Sequence, residues 1–320
     1  MKEKELYIIV NEGARTGKAA VVWKKVKEIL NTREIPYKAY RTEYKGHATH
    51  LAYKISSLPE KTLYLLVLGG DGTINEVLNG ITDFEKVRLG VIPTGSGNDF
   101  GRGIGLPQSP EEILECILTC ISQEQEGKAV PRIDLGQVSW SGCEKPRLFG
   151  ISAGVGLDAI VCKKALHTGL KTILNKIHLG KLTYILLTIE TLFSMDTTEM
   201  SIHTETVSYE QSKMIFAAAM NLRAEGGGVP MAPKASPTDG KLSVCSVCGI
   251  PKWRTFFCLP FLMAAKHEKI KGFQIMDSEK IQLHVGKPMV LHADGEYLGE
   301  VTDVEFLCLK NKLQLLYKGE

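Results

Sequence analysis

Residues Leu65–Gly80, LLVLGGDGTINEVLNG, pass from an apolar strand into a helix through Gly-Gly-Asp-Gly-Thr. A turn accounts for a glycine at such a junction, because losing Cβ opens positive φ. A polyanion site accounts for the cluster. The first N–H groups of a helix attract negative charge, and glycine lets a phosphate come close to the backbone. Strands are predicted over Glu5–Asn11, Pro36–Arg41, Thr62–Leu68 and Arg88–Ile92, with helices over Lys18–Asn31, Thr49–Ser57 and Thr73–Gly80. Such alternation specifies an α/β domain with a parallel sheet and ligands at the carboxyl ends of its strands. Two glycine-rich loops leave those ends, one after Leu68 and one after Ile92.

Beyond a predicted helix over Pro110–Ser122, the polar stretch SQEQEGKAVPR marks a boundary, and the texture changes. Short strands with turn signals follow, interrupted by helical patterns around Gly156–Leu166, Lys171–Phe193 and Lys252–His267. The organisation expected is residues 1–128 as a nucleotide-binding α/β domain and 129–320 as a β-rich domain with inserted helices. The last strand is a candidate to return to the first domain.

The 320 residues, 44% hydrophobic and 23% charged, are ample for two cores. A net charge of +3 without a basic block gives nucleic acid no footprint. No apolar run reaches the roughly 17–25 residues of a membrane-spanning helix. The opening MKEKELYIIVN does not read as a signal peptide, so a cytoplasmic protein with eight reduced cysteines is expected. Cys245 and Cys248 form a lone CxxC in a strand-like segment, where the two side chains face opposite sides.

Four segments carry the chemistry: NEGARTGK (11–18), GGDGTINE (69–76), PTGSGNDFGRGIGLP (93–107), and the pair GGGVPMAPKASPTDGKL (226–242) and HADGE (292–296). Together, and in this order, they resemble the diacylglycerol kinase catalytic family, specifically its soluble bacterial lipid-kinase branch. Sphingosine and ceramide kinases are similar, and NAD kinases share GGDGT but lack the second loop in this form. The resemblance implies an NAD kinase-like α/β domain followed by a β-sandwich-like domain, with the active site between them. It also implies ATP as phosphate donor, Mg²⁺ as cofactor, and a lipid hydroxyl as acceptor.

Carried over residue by residue, the resemblance assigns nucleotide contacts to Asn11, Gly17 and Lys18, although Glu12 stands where a proline is usual. Gly69, Gly70, Gly72, Thr73 and Glu76 follow in the signature, and Thr94, Gly95, Ser96, Gly97 and Asn98 in the second loop. Asp71, Asp99 and Asp239 are the carboxylates of a water-linked Mg²⁺ network, and Glu296 is the general base for the lipid hydroxyl. Phosphoryl transfer needs phosphates held, charge neutralised and an attacking oxygen positioned, and these residue types can supply all three.

Local readings stand beside these. HADGEYLG is also a hairpin signal around Asp-Gly, and TDG at Asp239 is also a turn. Arg102 is either a family arginine or a helix-end cation, and His292 either tunes the base or packs in a strand. The reaction expected is diacylglycerol to phosphatidic acid. Other acceptors are a sphingoid base, ceramide, monoacylglycerol or an isoprenoid alcohol; an NAD kinase or a non-catalytic sensor are weaker readings. A homodimer is expected from the resemblance and from exposed strand edges. Access to a lipid substrate without a spanning helix requires transient contact with the membrane surface. Lys252–Lys271, KWRTFFCLPFLMAAKHEKIK, is the candidate segment, with Pro260 expected to kink or break any helix there.

Overall fold

The computed structural model describes residues 5–13, 18–167 and 180–317. The chain forms two compact units, Met1–Leu135 with Lys310–Glu320, and Gly136–Leu309.

In the first unit, β1 (Leu6–Val10), β2 (Tyr37–Arg41), β3 (Leu63–Gly69) and β4 (Val87–Pro93) form a parallel sheet in the order β2-β1-β3-β4. All seven residues of β3 are buried, as an apolar run must be when helices cover both faces of a parallel sheet. Register is in step across the centre, with Leu6 opposite Tyr64 and Leu65 opposite Leu89. Beyond β4, Gln314 and Leu315 from the end of the chain pair in parallel with Arg88 and Leu89.

Helix α1 (Lys18–Thr32) buries Ala19, Val22, Trp23, Val26 and Leu30, a three- and four-residue spacing that makes one apolar stripe. Next come α2 (His47–Ser56) and α3 (Asp71–Leu78). Helix α3 starts two residues earlier than its apolar pattern predicts, because Gly70 is already the extended N-cap. The pattern did not show α4 (Asp99–Gly103), since five residues are too few for a helical period. Helix α5 (Pro110–Gln125) opens with Pro110 behind Ser109, whose Oγ accepts the Glu112 N–H at 3.3 Å.

The chain enters the second unit along β5 (Arg132–Trp140), which pairs antiparallel with β6 (Arg147–Phe149). There follow β7 (Ser152–Gly156), β8 (Thr198–Thr204), β9 (Ser208–Met214), β10 (Phe216–Met220), β11 (Leu242–Val247), β12 (Phe273–Ser278), β13 (Lys280–Ala293) and β14 (Glu296–Leu315). Strands run antiparallel in the order β12-β11-β10-β7-β13. Strand β13 is shared. Its first half, Ile281–Val285, pairs with β8, and its end, Leu291–Ala293, pairs with β7. Its register with β14 shifts between His284 and Met289, the bulge that lets one long strand serve two layers of a β-sandwich.

Helices α6 (Leu157–His167), α7 (Gly180–Ser194) and α8 (Lys252–Met263) are inserted among these strands. The part of the predicted 171–193 helix before Gly180 lies outside the described residues. Contrary to expectation, α8 continues through Pro260. Proline removes one helical N–H, but Pro260 is exposed, so water can reach the carbonyl that loses its partner. Cys245 and Cys248 are both buried, and burial pushes both thiols up, Cys248 to about 12. They behave as strand and core residues. Among the described residues no helix is long and apolar enough to cross a membrane.

Leu66, fully buried at the centre of β3, tests how much of the first unit rests on this strand. Leu66→Ala is expected to lower the unfolding free energy by about 2–5 kcal/mol in denaturant titration. A loss under about 1 kcal/mol would mean that the site collapses around the smaller side chain.

Candidate active site

The two glycine loops of the first unit meet backbone to backbone. A Cβ on Gly95 would lie 2.7 Å from Gly70 Cα, and one on Gly70 would lie 3.1 Å from Gly95 Cα. Backbone is the atom met in each case, so no rotamer change could relieve the contact. Thr94 N–H donates to Gly69 O at 2.9 Å and ties the loops at the strand ends. Within the first loop, a Cβ on Gly69 would be 2.6 Å from the Thr73 side chain. Thr73 Oγ1 in turn accepts Asn11 Nδ2 at 2.9 Å, which brings the end of β1 into the same cluster.

Asp71 joins the loops a second time. Its carboxylate accepts the N–H groups of Asp99 at 3.2 Å and Phe100 at 3.1 Å, and so caps α4. Asn98, the α4 N-cap residue, holds φ 53°, the left-handed region that asparagine tolerates. Asp99 accepts a hydrogen bond from Arg102 three residues on. Gly97 sits against both acids: its Cβ would be 2.9 Å from Asp71 Oδ2 and 3.1 Å from Asp99 Oδ2. Thr94 is 1% exposed, and its Oγ1 and the Asn98 Oδ1 are buried without a hydrogen-bond partner. Buried polar atoms are usually paired, so these two oxygens in one loop are polar capacity that the described residues do not use.

Asn11, Gly69, Gly70, Asp71, Gly72, Thr73, Thr94, Gly95, Ser96, Gly97, Asn98 and Asp99 thus all belong to these touching loops and the strand end beside them. Lys18 begins α1 and is exposed, and Gly17 lies outside the described residues. Glu76 has its oxygens engaged within the fold. They accept the N–H groups of Gly46 at 2.8 Å and Ala48 at 3.1 Å, at the start of α2. Helix α2 has a left-handed glycine at its N-cap and no side-chain cap of its own, so Glu76 supplies one.

Asp239 and Glu296 belong to the second unit. Asp239 is exposed in a turn, where its Oδ1 accepts Lys241 N–H at 3.0 Å. Glu296 opens β14 directly after the two-residue turn Asp294-Gly295, with φ 48° and 81°, the geometry that Asp-Gly signals in a hairpin. Asp294 is spent on the scaffold. Its oxygens accept the N–H groups of Gly150 at 2.8 Å, Ile151 at 2.8 Å and Ser152 at 3.1 Å.

Beside that turn lies a cluster that sequence reasoning missed apart from His292. Asp158, Glu225 and His292 each place one possible ligand atom within 4.8 Å of the others. His292 Nε2 is 2.9 Å from Asp158 Oδ2, and Ser152 Oγ donates to Glu225. A side chain at Gly154 would collide with Asp158. The strand–glycine–aspartate–helix run GVGLDA has the same form as GGDGT and was the available signal for Asp158. Burial alone would push the His292 imidazole down, but the carboxylates of Asp158, Glu225 and Asp294 outweigh it and raise the ring to about 9. The weak 3.3 Å bond from Gly295 N–H to Nδ1 is the one contact that protonation forfeits.

Residues 5–129 match the family model described as the diacylglycerol kinase catalytic domain. Residues 152–317 match the model of the YegS C-terminal NAD kinase beta sandwich-like domain. The chain belongs to the diacylglycerol kinase family. This lipid kinase is 32% identical over 286 residues to the diacylglycerol kinase of Bacillus subtilis (strain 168), covering 88% of this chain and 86% of the relative. It is 27% identical over 279 residues to the diacylglycerol kinase of Staphylococcus carnosus (strain TM300), covering 87% of this chain and 83% of the relative. A crystal structure of a diacylglycerol kinase from Bacillus anthracis str. Sterne shares the fold of the lipid kinase, with a TM-score of 0.68 at 19% identity and coverage of 99% and 98%.

The His292 cluster gives the lipid kinase a definite pH response. A histidine whose folded value is raised contributes stability fully below its unfolded value, roughly 6.5, and loses it as pH rises through about 9. Unfolding free energy should therefore fall by on the order of 1–3 kcal/mol more between about pH 7 and 10 in the wild type than in His292→Gln. Urea titrations across that range read the difference, and parallel curves would show that the ring is neutral throughout.

Proposed function

We propose that this lipid kinase transfers the γ-phosphate of ATP to a lipid hydroxyl, with diacylglycerol as the acceptor and Glu296 as the general base. The observation that carries the reading is the backbone contact of Gly70 with Gly95, which packs two helix-leading loops against one another with no side chain between them. Phosphate groups need close-set N–H donors, and a pair of glycine loops at helix starts is the arrangement that offers them. The unpartnered oxygens of Thr94 and Asn98 supply polar atoms in the same place.

Mg²⁺ fits the donor set there. Asp71 and Asp99 turn carboxylate oxygens toward the same glycine, Gly97, and hard oxygen donors suit this cation. These two residues would hold it, with Asp239 as the third carboxylate that the family resemblance assigns. When bound, the cation neutralises phosphate charge that would otherwise repel the attacking oxygen. The chain's own share is to hold and orient the phosphates on the loops, and to take the hydroxyl proton on the Glu296 carboxylate. The hairpin fixes where that carboxylate leaves the backbone, since Asp294 clamps the turn to residues 150–152.

Turnover with ATP over a panel of lipid alcohols identifies the acceptor, and diacylglycerol should be the fastest. Glu296→Gln should keep ATP affinity and lose roughly 10²–10⁴-fold in kcat, the range for a missing general base. Near-normal kcat in that variant would leave Glu296 as a hairpin residue and remove it from the chemistry.

A further inference from the structure

We propose that the outer face of α8, with the ring of Phe193 from α7 beside it, is an interfacial patch that docks this lipid kinase on anionic bilayers. Thr255 and Leu262, seven residues apart, are the buried positions of α8 and define its inner side. Trp253, Phe257 and Phe261 follow at four-residue steps on the opposite side and are 59%, 64% and 52% exposed. Met263, at 56%, extends the patch, and Phe193, at 51%, joins it from α7. These five account for half of the ten large hydrophobic side chains exposed among the described residues. Scattered apolar residues are normal on a surface, whereas a cluster marks a place that another phase or molecule covers. The rings touch in series: Trp253 lies 6.4 Å from Phe257, Phe257 lies 5.3 Å from Phe256, and Phe256 lies 6.4 Å from Phe193.

Charge decides the occupant. Arg254, Lys266, Lys269 and Lys271 are exposed within or just after α8, and none of them has an ion pair among the described contacts. The one acid between Lys252 and Lys271 is Glu268, and Lys234 holds it at 2.7 Å. An aromatic patch edged by unpaired cations matches the boundary between anionic headgroups and acyl chains, where apolar side chains insert and cations remain among the phosphates. At twelve residues the helix is too short to span, so it lies in the plane of the surface. Pro260 stands on the exposed side too, where its missing N–H costs no contact with the core.

The inference rests on the lipid-acceptor reading for its purpose but not for its test. The full chain is sedimented with vesicles of phosphatidylcholine alone and with vesicles containing an equal part of phosphatidylglycerol, without nucleotide or acceptor. Binding should favour the anionic vesicles and weaken as sodium chloride is added. The double variant Trp253→Ser/Phe257→Ser should bind roughly tenfold less. Both side chains are exposed, so its unfolding midpoint should be unchanged. With detergent-dispersed short-chain diacylglycerol the variant should turn over like the wild type, and on vesicles it should be slower. Equal vesicle binding by variant and wild type overturns the proposal. So does concentration-dependent self-association that the variant abolishes, because the face would then belong to a second copy. Turnover in detergent by a protein that ignores vesicles would sink the docking surface and leave the acceptor reading standing. Docking with no lipid turnover would do the reverse.

Discussion

The contact between Gly70 and Gly95 is the constraint from which the rest of the first unit follows. A backbone can come within about 3 Å of a would-be Cβ only where no Cβ exists, so both loops must carry glycine at the same height. Once they touch, the carboxylate of Asp71 at the start of α3 reaches the first N–H groups of α4 and caps a helix that is too short to be stable alone. Asn11 then reaches Thr73 from β1, so three parallel strand ends converge on one cluster. The sheet beneath makes this possible. Parallel strands put all their carboxyl ends on one side, and the fully buried β3 fixes the height at which the first loop emerges.

In the second unit, buried polar contacts fasten the hairpin from which Glu296 leaves. Asp294 accepts three backbone N–H groups, so the turn is fastened to the start of β7 before Glu296 leaves it. His292 is fastened by Asp158 at the start of α6, and Glu225 lies against Ser152 in the same β7. These buried polar contacts cost desolvation, and they give the hairpin a single position in return. The patch on α8 has the opposite character. Its aromatic side chains are exposed, and among the described residues Arg254, Lys266, Lys269 and Lys271 of the same segment have no ion pair.

Much of this was legible beforehand, because glycine and aspartate in fixed order leave few local conformations. The parallel strands, the glycine loops at their ends, the β-rich second half and the Asp-Gly hairpin each followed from short-range pattern, and the order of the motifs carried the family resemblance. HADGE is compatible with a hairpin and an active-site motif at once, and the chain has the hairpin whichever role Glu296 plays. Glu76 shows where pattern stopped. It stands inside a signature, yet its carboxylate points to the N-terminus of α2, thirty residues earlier. No local rule connects those positions, since α2 lacks a capping side chain for reasons visible only in its own turn.

By itself, the sequence determined most of the strands and the longer helices, where glycine loops leave the strand ends, and which acids stand in those loops and at the hairpin. These are consequences of side-chain period and of the missing Cβ, and both act within a few residues. Tertiary structure decided which acids are spent on the scaffold and which polar atoms are left without partners. It gathered Asp158, Glu225 and His292 from positions 158, 225 and 292, and it chose which face of α8 to bury. The carboxylates of Glu76 and Asp294 each give both oxygens to backbone N–H groups far away in the chain. Which carboxylate does so depends on distances between segments far apart in the chain, and those exist only once the chain has folded.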